Sequence, residues 1–315
     1  MLNLDTETKR IFLNPYCNYG AGYSRWAKVK DEIYKRIGKF EMEEILSPDN
    51  LVSQISEAIK NGEKIFIAAG GDGTVNLLLN AIMKLSDSSN ITIGAVGLGS
   101  SNDFHKPFRT EAFINGIPVR IDFGNAFLCD VIRVDYQDIK EQMHSHFCLL
   151  NASIGVTAEA NAFFNLRTKF IELLQKVSVD AAIIATALRT ILAFRNIPCQ
   201  LTIENKEEEE IFVTNLGVIK SPHFTGSLCY DTRISPDDGQ LGVNLCFDMS
   251  LLERIGILIA LSNHHFQNRP KTKTWLANRL SVKSKKTFAL EMDGEVVQAK
   301  SVEFSIMPKT VRCCR

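Results

Sequence analysis

Three short polar segments, each following an apolar run, hold most of the residues in this sequence that could do chemistry. They are Asn14-Pro15-Tyr16-Cys17-Asn18-Tyr19-Gly20-Ala21-Gly22, Gly70-Gly71-Asp72-Gly73-Thr74-Val75-Asn76 and Gly97-Leu98-Gly99-Ser100-Ser101-Asn102-Asp103-Phe104. Glycine lets a backbone approach a ligand closely, and the free N–H groups of a helix start favour an anion. The middle segment therefore reads as a phosphate cradle. It is neither a Walker loop, since no GKS or GKT follows, nor the spaced G-x-G-x-x-G of a dinucleotide fold. A strand-to-helix turn capped by Asp72 or Thr74 would use the same residues structurally. What favours a ligand is the coincidence of the three loops, because loops at the carboxyl ends of strands in an open parallel sheet share one edge.

Two carboxylate groupings come later. In Glu291-Met292-Asp293-Gly294-Glu295-Val296, an extended chain would place Asp293 and Glu295 on one face, suited to a metal or a proton. The same Asp-Gly also reads as a hairpin turn. Ser235-Pro236-Asp237-Asp238-Gly239-Gln240 reads as a turn whose aspartates could hold a hard cation. Seven basic residues (Arg269, Lys271, Lys273, Arg279, Lys283, Lys285, Lys286) lie between 269 and 286 with no acid among them. They form either a solvated strand pair or a patch for an anionic surface.

The elements that position these groups change character along the chain. Through residue 125, apolar runs at 10–13, 64–69 and 91–96 alternate with helical spacing at 24–40, 49–61 and 75–85, which predicts a parallel α/β sheet covered on both faces. From 126 to 315, short alternating runs predict an antiparallel β domain interrupted by one helical stretch, 158–194. The expected division is 1–125 and 126–315, with the C-terminal tail either frayed or packed back on the first domain.

Composition narrows the classes. Of 315 residues, 45% are hydrophobic and 23% charged, which excludes a disordered, collagenous or coiled-coil chain. Lysine plus arginine number 36 and aspartate plus glutamate 36, so no global field draws the chain to nucleic acid. Eight cysteines without CxxC spacing read as reduced, buried thiols of a cytosolic protein. The most apolar stretch, 181–194, carries Arg189 and is too short to span a bilayer.

Taken in order, Asn14-Pro15 with Gly20, Gly70 to Asn76, Gly99 to Phe104, Asp122-Phe123-Gly124, Asn151 to Gly155, Asp238-Gly239 and Asp293-Gly294-Glu295 resemble the diacylglycerol kinase catalytic-domain family, which includes soluble bacterial lipid kinases and sphingosine kinases. The resemblance implies an α/β nucleotide-binding domain followed by a β-sandwich, and ATP-dependent phosphoryl transfer to a hydroxyl of diacylglycerol or a related lipid. ATP would lie on Asn14, Pro15, Tyr16, Cys17 and Asn18, on Gly70, Gly71, Asp72, Gly73, Thr74, Val75 and Asn76, and against Ser100 and Asn102. Asp72 and Asp103 would order magnesium around the phosphates, and Glu295 or Asp293 would be the general base. A structural Mg2+ would sit on Asp238 with the carbonyls of Ser235 and Gln240.

The resemblance also implies a lipid partner met at the membrane surface and no nucleic acid, with a homodimer left open. Phe163, Phe164, Phe170, Ile171, Leu173 and Leu174 could line an acyl groove or simply pack the sandwich. The sequence departs from the family pattern at Leu77, His105, Lys220 and Phe224-Thr225-Gly226-Ser227. A kinase of the NAD kinase type with a soluble acceptor, and a catalytically silent nucleotide-binding regulator, are the alternatives.

Overall fold

The computed structural model describes residues 7–85, 88–106, 112–165, 179–204 and 206–315. The chain forms two compact units, one running to Asp130 and including Lys309–Arg315, the other from Val131 to Pro308.

In the first unit, β1 (Lys9–Leu13), β2 (Glu41–Glu44), β3 (Ile65–Gly70) and β4 (Thr92–Gly97) run parallel in the order β2-β1-β3-β4. Alternate residues of β1 serve opposite faces. Ile11 and Leu13 join Trp26, Val29 and Ile33 in one core, while Phe12 meets Phe66 edge-on at 5.9 Å. Burial on both faces explains why β1, β3 and β4 read as continuous apolar runs, whereas the edge strand β2 is polar and partly exposed.

The helices are α1 (Gly22–Ala27), α2 (Lys30–Ile37), α3 (Pro48–Lys60) and α4 (Asp72–Leu85). The spacing at 24–40 predicts one helix; the chain breaks at Val29, where φ is −121°. Helix α3 starts as its sequence dictates, with Pro48 in the first turn and the Ser47 side chain accepting the Asn50 N–H at 3.1 Å. Beyond β4 the sheet takes two neighbours. β6 (Ile117–Arg120), itself paired with β5 (Phe113–Ile114), runs antiparallel to its second half. Arg312 and Cys313 run parallel to its first half. A frayed tail is therefore not what forms: Cys313 and Cys314 are buried.

The second unit is antiparallel. Its strands are β7 (Phe127–Asp138, beginning in the first unit), β8 (Met143–Cys148), β9 (Asn151–Gly155), β10 (Ile197–Ile203), β11 (Glu209–Ile219), the short pair β12 (His223–Thr225) and β13 (Leu228–Cys229), β14 (Leu241–Phe247), β15 (Thr272–Ala277), β16 (Arg279–Met292) and β17 (Glu295–Cys313). β11 pairs with β10 along its first half and β9 along its second, and β16 does the same. Their inward residues, among them Ile154, Leu216, Val243, Val282, Phe288 and Phe304, make one continuous core.

The expected helical stretch is present as α5 (Val156–Asn165) and α6 (Val179–Ala193). A further helix, α7 (Leu251–Ser262), was not expected; Ser250 and Glu253 form a capping box at its start. None of the eight cysteines is in a disulfide, and seven of them are buried. No described helix is long and apolar enough to cross a membrane.

Candidate active site

The parallel order β1-β3-β4 puts the three polar loops next to one another at the carboxyl edge of the first unit's sheet. Hydrogen bonds join them. Asn14 Nδ2 donates to Thr74 Oγ1 at 3.1 Å, and the N–H of Leu98 donates to the Gly70 carbonyl at 2.8 Å. Asp72 Oδ1 accepts the Phe104 N–H at 2.8 Å.

Close approach dictates the glycines here. A Cβ on Gly70 would lie 2.1 Å from Thr74 Oγ1, and one on Gly99 would lie 2.5 Å from the Gly71 Cα. Gly73 differs, since a Cβ there would meet nothing within 4 Å. Gly73 lies in the first turn of α4, where N–H groups and the positive end of the helix dipole collect. In the first loop, Asn18, Tyr19 and Gly20 follow one another at φ 47°, 60° and 82°. The third loop turns on Asn102 at φ 53°, whose Nδ2 donates to the carbonyls of Gly97 and Gly99 at 3.1 and 3.0 Å. Its buried Oδ1 has no hydrogen-bond partner among the described residues. Ser100 is exposed at the same turn, and Asp103 beneath it is buried and bonded to Lys106 at 2.5 Å.

One residue that sequence reasoning passed over fixes the floor of this edge. Arg120 is fully buried, donates to the Phe104 carbonyl at 2.8 Å and to the Cys314 carbonyl at 2.7 Å, and lies over the Phe104 ring. Burial pushes its guanidinium below the usual value. Burial and the Arg120 charge together push His105 down to about 3, so this imidazole is neutral at pH 7. A lone arginine inside the apolar run Ile117 to Ile121 was the available signal.

In the second unit, the hairpin reading of Asp293-Gly294 is the correct one. Met292 pairs with Glu295, and the two residues between them have φ 46° and 93°, a tight two-residue turn. Asp293 and Glu295 therefore do not share a face. Asp293 is buried and accepts the N–H groups of Leu149, Leu150 and Asn151 at 2.8, 3.1 and 2.8 Å. The Glu295 side chain is exposed and makes no hydrogen bond among the described residues. The buried Glu291, also missed, supports the turn by accepting the Gly294 N–H at 2.7 Å and the Ser153 hydroxyl at 2.8 Å. A carboxylate in the apolar strand Phe288 to Met292 was its signal.

Residues 9–132 match the diacylglycerol kinase catalytic domain, and residues 152–315 match the YegS C-terminal NAD kinase beta sandwich-like domain. The chain belongs to this lipid kinase family. A "Probable lipid kinase YegS-like" protein of Alcanivorax borkumensis is 27% identical over 267 residues, 82% of this chain and 81% of that protein. "Lipid kinase YegS" of Escherichia coli (strain K12) is 22% identical over 262 residues, covering 82% and 80%. A crystal structure of a diacylglycerol kinase from Bacillus anthracis shares the fold at a TM-score of 0.67 and 12% identity, covering 98% of this chain and 96% of that one. The α/β domain with a β-sandwich partner is thus the fold of this lipid kinase.

One site implied by family resemblance is corrected. Asp238 and Gln240 are in place in their turn, but Asp238 Oδ1 and the Gln240 carbonyl accept the ammonium of Lys220 at 2.6 and 2.8 Å. Ser235 meets Asp238 through its N–H at 2.7 Å. With an ammonium bonded to the same oxygens, these residues do not fit a structural Mg2+.

The second unit also holds a partly open apolar cavity of about 80 Å³, lined by Phe164, Ile183, Ala187, Ile191, Leu258 and Leu261 among others. Its polar groups include Asn215 and Tyr230, whose ring sits between Phe224 and Phe266 at 4.7 and 4.9 Å. Of the six residues expected to line an acyl groove or pack the sandwich, Phe164 lines this pocket; Phe163 lies under the Arg189 guanidinium at 3.6 Å. Phe170, Ile171, Leu173 and Leu174 lie outside the described residues. The basic run is partly spent on ion pairs: Lys271 with Glu253 at 3.0 Å, Lys273 with Glu209 at 3.6 Å and Arg279 with Glu303 at 2.6 Å. Lys283, Lys285 and Lys286 are exposed.

Proposed function

We propose that this lipid kinase transfers the γ-phosphate of ATP to a hydroxyl of diacylglycerol or a lipid of similar shape. The supporting observation is the joining of the Asn14–Asn18, Gly70–Asn76 and Gly99–Phe104 loops along one sheet edge at the start of α4. Phosphoryl transfer asks mainly for positioning and charge neutralisation, and backbone N–H groups at a helix start supply both. Magnesium arrives bound to the nucleotide as part of the substrate. Asp72, a hard oxygen donor on this edge, suits it, whereas Asp103 is paired with Lys106 at 2.5 Å.

Glu295 is the proposed general base, since its carboxylate is exposed whereas that of Asp293 is engaged with three backbone N–H groups. The apolar cavity takes the hydrocarbon part of the acceptor, and the exposed Lys283, Lys285 and Lys286 meet the anionic surface from which it is drawn. Labelled ATP offered with diacylglycerol, ceramide, a sphingoid base and NAD tests the reading. Label in a lipid supports it; label in NAD alone overturns it.

A further inference from the structure

Lys220 follows β11 directly, and its side chain is 0% exposed. A buried ammonium is tolerated only when it is paired and hydrogen-bonded. Here the pairing is built by the turn that follows. Lys220 Nζ donates to Asp238 Oδ1 at 2.6 Å and to the Gln240 carbonyl at 2.8 Å. The turn is closed around the same carboxylate, which accepts the Ser235 N–H through Oδ2 at 2.7 Å and the Gln240 N–H through Oδ1 at 3.1 Å. The backbone on either side is also held, because the N–H groups of Lys220 and Ser221 both donate to the Leu150 carbonyl, at 2.7 and 3.0 Å.

These distances are those of charge-assisted N–H···O bonds. A divalent cation would need the same carboxylate and carbonyl oxygens at roughly 2.0–2.6 Å. The ammonium nitrogen is already within bonding distance of both, so a metal ion would have to overlap it and bear its repulsion.

We propose that the Lys220 ammonium is the built-in cation of the 235–240 turn, so that the second unit holds this turn without a divalent ion. The donors remain those of a hard-cation site, one carboxylate and a backbone carbonyl, and lysine has made the site permanent and independent of metal supply. The inference concerns stability and does not depend on the kinase reading.

The test is thermal melting of the full chain without nucleotide, in EDTA and in millimolar magnesium or calcium, with metal analysis of the protein after equilibration in each ion. The wild type should melt at the same temperature in all three conditions and carry no stoichiometric metal. Lys220→Ala should melt roughly 5 °C lower in EDTA, since Asp238 Oδ1 and the Gln240 carbonyl lose their charged donor and the buried lysine stem leaves a void. It should regain part of that loss in magnesium or calcium, and adding Asp238→Asn should abolish the regain. A wild-type melting temperature that falls in EDTA, with Asp238→Asn removing the dependence, overturns the proposal. So does a Lys220→Ala protein that responds to neither ion. Should Lys220→Ala not fold, Lys220→Asn is read in the same way. If neither folds, metal analysis of the wild type decides: a metal-free turn supports the proposal, and about one Asp238-dependent ion per chain refutes it.

Discussion

The Asp72 carboxylate accepts the Phe104 N–H at 2.8 Å, tying the loop after β3 to the loop after β4. An acid in the first turn of α4 thus serves the helix dipole and holds the neighbouring loop at once. Asp72→Ala should cost about 2–3 kcal/mol and lower the melting temperature by roughly 5 °C, because the Phe104 N–H loses a charged partner. ATP affinity should fall about tenfold or more, equivalent to about 1.4 kcal/mol. Asp72→Asn, which keeps an acceptor oxygen, should retain most of the stability. Equal losses in the two variants would contradict this assignment.

The glycines separate fold from binding. Gly70→Ala forces a methyl to 2.1 Å from Thr74 Oγ1, so the protein should lose several degrees of melting temperature or fail to accumulate. Gly73→Ala meets nothing within 4 Å, so melting should be nearly unchanged while ATP binding, measured by calorimetry, weakens as the methyl enters the space beside the α4 N-terminus. Unchanged ATP affinity in Gly73→Ala would remove the phosphate from that position.

His105 gives the protein an acid limit. The unfolded chain takes up this proton near the ordinary value of 6.5, and the folded chain only at about 3. Between these values the unfolded state binds more protons, so the stability is fully present above 6.5 and is lost as pH falls toward 3. The slope approaches about 1.4 kcal/mol per pH unit at most. His105→Leu should flatten the stability profile, measured by urea denaturation, below pH 6.5. A profile as steep as that of the wild type would mean that His105 titrates normally.

Charge neutralisation tests the surface. Lys283→Gln, Lys285→Gln and Lys286→Gln together should weaken binding to phosphatidylserine vesicles, measured by sedimentation, by roughly 10²-fold, at about 1 kcal/mol for each lysine. The effect should shrink at high salt. Lys271, Lys273 and Arg279, already paired with acids, should contribute little when changed.

Much of this architecture is written in the sequence where local chemistry decides it. β3 and β4 read as apolar runs because both faces are covered, and Ser47-Pro48 announces α3 through a cap and a fixed φ. Helix α7 was missed although Ser250-x-x-Glu253 precedes its apolar run. The run 251–261 is so nearly continuous in hydrophobicity that it masks helical period. Long-range pairings were illegible for a different reason. The Cys314 carbonyl meets Arg120 194 residues earlier in sequence, and Lys220 reaches Asp238 across a turn whose closure no spacing rule reports. Asp293 and Glu295 show the limit within a single motif: a two-residue turn and an extended strand share the same letters, and the φ of 46° at Asp293 separates the two carboxylates.

The central claim is tested most directly by the initial rate at which Glu295→Gln moves label from ATP to diacylglycerol, measured beside the wild type and with melting temperatures for both. The account predicts transfer by the wild type and a loss of roughly 10²–10⁴-fold in Glu295→Gln, the usual contribution of a general base, with melting unchanged because the side chain is exposed. A Glu295→Gln protein as fast as the wild type, or a wild type that labels no lipid, would contradict it.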